Sequence, residues 1–116
     1  MTTILIVDDD EGCLEGYEML FKSVGYNVIK AFDGQKGLEA AVLNKPDLIV
    51  TDKDMPRMNG YQMYIALKDN AVTKEIPVIG TGSFSQYERK ELPYYHEKGK
   101  SGLGDLVKCI LDDIHI

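Results

Sequence analysis

The chain has 116 residues, 44% of them hydrophobic and 28% charged, with 11 Gly and 4 Pro. That size and apolar content fit one domain over residues 1–116 with its own core, and they argue against disorder. Thirteen Lys and Arg against 19 Asp and Glu leave a net charge of −6, which disfavours direct nucleic-acid binding.

No apolar run approaches the ~18 residues of a membrane span. Met1 to Asp8 lacks the basic n-region and small-residue cleavage site of a secretory signal, so a cytoplasmic location is expected. The two cysteines, Cys13 and Cys109, form no CxxC, and His96 and His115 stand at unrelated positions, which speaks against zinc. Both cysteines are expected to be reduced and to act as small buried hydrophobes.

Ile4 to Val7 is a short unbroken apolar run that stops at Asp8-Asp9-Asp10, the pattern of a strand buried on both faces. Leu14, Tyr17, Leu20 or Phe21, and Val24 then mark one stripe of a helix, with Gly25 placed to end it in a left-handed conformation. Val28 to Phe32 reads as a second strand closed by Asp33-Gly34. Gln35 to Leu43 reads as a second helix carried by Leu38, Ala41 and Val42.

Leu48-Ile49-Val50 is a third buried strand, again ending near an acid, Asp52. The loop Met55 to Gly60 precedes a helix over about Tyr61 to Lys68, with Met63, Tyr64 and Leu67 inward. Pro77-Val78-Ile79 opens a fourth strand, Tyr94-Tyr95-His96 suggests a short fifth, and Leu103 to Ile114 traces a last amphipathic helix. Strands alternating with helices predict an α/β doubly wound parallel sheet with helices on both faces. In such sheets functional groups gather beyond the carboxyl ends of the strands. Here two strand ends carry acids to that edge.

Carboxylates held together repel one another unless a proton or a cation neutralises them. Mg²⁺ is the natural remedy at neutral pH, since it takes oxygen ligands and pairs with phosphate. A carboxylate beside it is a competent nucleophile for phosphoryl transfer. Asp10 alone is read as a helix cap. Asp8, Asp9 and Asp52 together exceed what capping needs.

The run Ile4-Leu5-Ile6-Val7-Asp8-Asp9-Asp10, followed by Asp52-Lys53-Asp54-Met55-Pro56-Arg57-Met58-Asn59-Gly60, resembles the receiver domain of two-component response regulators. The likeness covers essentially the whole chain and is strong to about Val78. It implies a flavodoxin-like five-stranded sheet of order 2-1-3-4-5. It also implies that Asp52 is the phosphoacceptor, taking the phosphoryl group from a sensor histidine kinase or a histidine phosphotransfer protein. Asp9 would bind Mg²⁺ directly, with Asp8 beside it, and the third protein ligand would be the backbone carbonyl of Asp54. A downstream protein target is implied but not identified. Lys53 is expected to point to solvent.

Two features depart from that family. Its Ser or Thr at the end of strand four falls by count on Gly82, between Thr81 and Ser83; a local irregularity would present Thr81, the residue chosen here, or Ser83. Its lysine after strand five matches Lys98, with Lys100 as competitor, and Tyr95 is then the aromatic of the switch. The segment Gly82 to Lys98 is short, so Ser85 to Glu91 leaves at most two turns for a fourth helix. That shortening falls on the family's usual output surface and favours a receiver that relays phosphate or docks through its first helix. Two other readings remain: a receiver-fold binding module that does not switch, and a haloacid-dehalogenase-type phosphatase suggested by the D-x-D at Asp52-Lys53-Asp54.

Overall fold

The computed structural model describes residues 1–114, so His115 lies outside the described residues. Five strands and five helices alternate: β1 Thr3–Val7, α1 Glu11–Ser23, β2 Asn27–Ala31, α2 Gly34–Asn44, β3 Leu48–Thr51, α3 Gly60–Lys68, β4 Val78–Gly80, α4 Gln86–Glu91, β5 Tyr94–Tyr95 and α5 Leu103–Ile114. Every strand pair is parallel, and the order is β2-β1-β3-β4-β5. This is the flavodoxin-like arrangement that the resemblance implies.

The unbroken apolar strands are explained by burial on both faces. Ile4, Ile6, Leu48, Val50 and Ile79 pack on one side against Leu14 and Phe21 of α1 and Val107, Ile110 and Leu111 of α5. Their alternate neighbours Leu5, Val7, Ile49 and Val78 pack on the other side against Ala41 of α2 and Met63, Tyr64 and Leu67 of α3. The period of two along each strand therefore sorts the core into two layers.

Side-chain caps start the helices. Asp10 accepts from the Gly12 and Cys13 amides at α1, and Asp33 accepts from Lys36 at α2. Asn59 with Gln62, and Ser85 with Glu88, form full capping boxes at α3 and α4. Gly25 follows α1 with φ +92, where the chain must turn left-handed.

Several apolar residues expected inside are not. Phe32 lies beyond β2 and is exposed, as are Val24, Val42 and Ile114. On α1 the inward residue is Phe21, at 0% exposure, while Leu20 is 39% exposed. The cysteines also differ from expectation: Cys13 is half-buried on α1 and Cys109 is exposed on α5. Helical periodicity finds the stripe, but its edge residues are decided by what packs over them, and the buried α1 residues Leu14 and Phe21 pack with α5 and the sheet.

Phe21→Ala should cost about 3–5 kcal/mol, because it opens a cavity in a sealed layer. Leu20→Ala should cost about 1 kcal/mol or less. Urea unfolding of both variants checks this; equal losses would put the α1 stripe one residue away from where it is described.

Candidate functional site

The register Val7↔Thr51 brings the ends of β1 and β3 side by side. The Asp52 amide donates to Val7 O at 3.0 Å, and the Asp8 amide donates to Ala31 O at 3.1 Å. Those two bonds fix adjacent acids at the carboxyl edge of the sheet. Asp8 is fully buried, Asp52 is 8% exposed, and Asp9 is open to solvent. One carboxylate oxygen from each of the three lies within 4.8 Å of the others. The side chain of Asp54 is exposed and is not part of this group.

Lys98 reaches this cluster from the loop after β5. Its Nζ stands 2.9 Å from Asp8 Oδ2 and 3.4 Å from Asp52 Oδ2. Lys100, the competing lysine, is exposed. Burial works to lower the Lys98 pKa, but the hydrogen bond and charge of Asp8, with the charge of Asp52, hold it well above its ordinary value. The Asp52 pKa is raised as well, but for a carboxyl this disfavours the charged form: burial and the Asp8 charge raise it, and Lys98 only partly opposes them. The nucleophile candidate is therefore a carboxylate whose ionised form is short of compensation. A hard divalent cation would supply that compensation, and an all-oxygen donor set built from three carboxylates suits one.

The structure does not present Thr81 to Asp52 as the expected hydroxyl. Thr81 is fully buried, its Oγ1 donates to Thr51 O at 3.4 Å, and it lies beside the Tyr17 hydroxyl on the α1 side of the sheet. The residue against Asp52 is Gly82, in the left-handed region at φ +84, and a Cβ built there would clash with Asp52 Oδ1. Ser83 is exposed. The carboxylate of Asp52 thus occupies space that a side chain on residue 82 would need, and any L side chain there would also be strained.

Tyr95 is half-buried and points inward. Its hydroxyl donates to Gly82 O at 2.5 Å and accepts from Arg89 at 3.1 Å, while the Arg89 guanidinium stacks 4.0 Å over its ring.

Two contacts were missed by sequence reasoning. Lys53 does not point to solvent: its Nζ pairs with Glu88 Oε1 at 2.9 Å, across to α4. The same oxygen accepts from the Ser85 amide at 2.8 Å, completing the α4 capping box. Burial works to raise the Glu88 pKa, but the Ser85 amide and Lys53 outweigh it and hold the carboxyl below its usual range. The Ser-x-x-Glu signature of the cap was visible in the sequence. Its partner lies 35 positions upstream and carried no signal of its own.

The second contact is Arg57, at φ +67, whose Nε donates to the buried Asp33 at 2.8 Å. With Gly34 N donating to Met58 O at 3.0 Å, it fastens the β3–α3 loop to the start of α2. Gly60 sits where a Cβ would run into Asp52 O, so the turn beneath the site also depends on glycine.

The family model "Response regulator receiver domain" matches residues 4–93. The chain is 34% identical to the DNA-binding dual master transcriptional regulator RpaA of Synechocystis sp., over 78% of this chain and 37% of that protein. It is 29% identical to the polar-differentiation response regulator DivK of Brucella anthropi, over 89% of this chain and 97% of that one. The chain therefore spans little more than a third of the first relative and nearly all of the second. Among solved structures, chemotaxis protein CheY4 of Vibrio cholerae superposes with a TM-score of 0.81 at 25% identity, covering 95% of this chain and 97% of that one.

Asp52 gives a signed test of the electrostatics. A carboxyl whose folded pKa is raised costs stability while ionised, and that cost disappears as pH falls through the folded value toward the ordinary ~3.9. Without divalent cation, Asp52→Asn should therefore be more stable than wild type at pH 7, the gap closing in acid. Thermal scans across pH check this, and a gap that widens in acid would contradict it. Lys98→Met should cost about 2 kcal/mol at pH 7, since it strips the buried Asp8 of its charged hydrogen bond.

Proposed function

Because the chain belongs to the family of response regulator receiver domains, we propose that it is a Mg²⁺-dependent phosphoacceptor with Asp52 as the phosphorylated residue, residues 1–116 forming a single receiver domain. The observation that carries this reading is the acid cluster at the sheet edge: Asp8, Asp9 and Asp52 converge within 4.8 Å, with Lys98 at 2.9 and 3.4 Å from two of them.

An Asp52 oxygen bonds to the phosphorus of a phosphohistidine. The P–N bond breaks, its electron pair stays on the imidazole, and the imidazole takes a proton from water. Asp9, Asp52 and the Asp54 carbonyl, with Asp8 beside them, would hold Mg²⁺, which would supply neutralisation of phosphoryl charge. Lys98 adds a point charge that reaches the phosphoryl from the β5 side. The donor is a sensor histidine kinase or a histidine phosphotransfer protein, and the signal passes to a protein rather than to nucleic acid. Its setting is cytoplasmic; among the described residues no helix is long and apolar enough to cross a membrane.

The dehalogenase-type phosphatase reading is set aside. Its D-x-D would follow the first strand, whereas Asp52-Lys53-Asp54 follows β3 in a chain of the receiver family. A receiver that does not switch remains as the second reading. It is favoured by one observation: residue 82 offers no hydroxyl to follow a phosphoryl oxygen.

Acetyl phosphate with Mg²⁺ should add one phosphate to the wild type and none to Asp52→Asn, read by intact-mass spectrometry. Asp9→Ala should abolish the Mg²⁺-induced rise in melting temperature. An adduct that survives in Asp52→Asn would move the nucleophile elsewhere, and thermal scans that coincide with and without Mg²⁺ would remove the metal.

A further inference from the structure

We propose that the ion pair between Lys53 and Glu88 connects the charge on residue 52 to α4, and that it takes the place of the hydroxyl missing at residue 82. The inference rests on the phosphoacceptor reading of Asp52.

Three observations carry it. The residue against the Asp52 carboxylate is Gly82, so no side chain there can follow a change at Asp52. Tyr95 is already turned inward, bonded to Gly82 O and covered by Arg89, so it has little further to move. Lys53 is the immediate neighbour of Asp52, and its Nζ lies 2.9 Å from Glu88, with the two side chains only 21% and 14% exposed. A pair so far withdrawn from solvent is poorly screened and senses nearby charge.

The element at the other end is suited to respond. α4 spans six residues, and none of them is buried. Polar contacts hold it in place: Glu88 to Lys53, Arg89 Nε to Phe84 O at 3.1 Å, and the Tyr64 hydroxyl to Glu91 O at 2.9 Å. A helix this short has no independent stability, so its first turn stands or falls with its cap. One oxygen of Glu88 serves both the cap and Lys53.

Phosphorylation replaces a single negative charge on residue 52 with nearly two and adds strong acceptor oxygens. That charge draws the Lys53 ammonium and repels Glu88, so both effects weaken the pair. The first turn of α4 then loses the cation that steadies its capping carboxylate. The signal reaches α4 through side-chain charge on the β3–α3 loop.

Beryllofluoride with Mg²⁺, standing in for the phosphoryl group, tests this in amide spectra of wild type, Lys53→Met and Glu88→Gln. Glutamine keeps the capping box but not the charge, so Glu88→Gln separates the ion pair from helix formation. In wild type, shifts should appear at Asp9, Asp52 and Gly82 and in Ser85 to Glu88. In both variants the first group should persist and the second should shrink by about threefold or more. Lys53→Arg should restore it. Shifts in Ser85 to Glu88 that are unchanged in the variants, or absent from wild type while Asp9 and Asp52 respond, would overturn the coupling. Silence at Asp9 and Asp52 in every protein would overturn the phosphoacceptor reading, and the coupling with it.

Discussion

The site turns on the repulsion between Asp8 and Asp52, two carboxylates that the β1–β3 register holds together in nearly complete burial. Neither can move away, because backbone hydrogen bonds to Val7 and Ala31 fix the strand ends that carry them. Like charges in a poorly solvated place must be offset. Lys98 is the offset that the chain itself supplies, at 2.9 and 3.4 Å. It satisfies Asp8 more closely than Asp52, whose pKa burial and the Asp8 charge raise despite it. The group short of compensation is the one placed to gain most from a cation, and the electrostatic strain is concentrated on the candidate nucleophile.

Much of the surrounding architecture serves to keep that arrangement rigid. Gly60 allows the loop to pass beneath Asp52, and Arg57 accepts a left-handed backbone in order to reach Asp33. Such a conformation costs a non-glycine residue of order 1 kcal/mol or more, and it persists only where neighbours hold it. The buried carboxylate of Asp33, capping α2 and gripping Arg57 at once, is that neighbour. The loop is therefore pinned at both ends: to α2 through Arg57, and to α4 through Lys53.

How much of this the sequence disclosed follows from how local each cause is. Asp8, Asp9 and Asp52 were legible because each follows an apolar strand closely, and parallel strands deliver their carboxyl ends to one edge. The elements themselves were legible from period, caps and glycines, Gly25 and the Ser85–Glu88 box among them. The inward choice between Leu20 and Phe21 was not, since both fit a helical stripe and only the packed structure shows Phe21 sealed and Leu20 at the rim. Thr81 was misplaced for a related reason. At the end of a three-residue strand the alternation sets which residue faces Asp52, and a glycine gives no chemical signal that it is the one. The Lys53–Glu88 pair was invisible because nothing in a lysine next to an aspartate states which distant acid it will meet.

The glycine at residue 82 and the short α4 belong to one physical problem. A helix of two turns cannot bury a face, so packing cannot hold it in two alternative positions, and bistable packing is how small shifts usually become large ones. A hydroxyl on residue 82 that tracked the phosphoryl group would have had no packed helix to displace. What this chain has instead is a helix tied down by charges and hydrogen bonds from Lys53, Arg89 and Tyr64. Contacts of that kind respond to charge directly and over a few ångströms, without repacking a core. On the proposed coupling the response is local, centred on the first turn of α4 and the β3–α3 loop. That suits a partner which reads the neighbourhood of Asp52 itself, as a phosphate-relaying protein must, better than one which reads a remote, remodelled face.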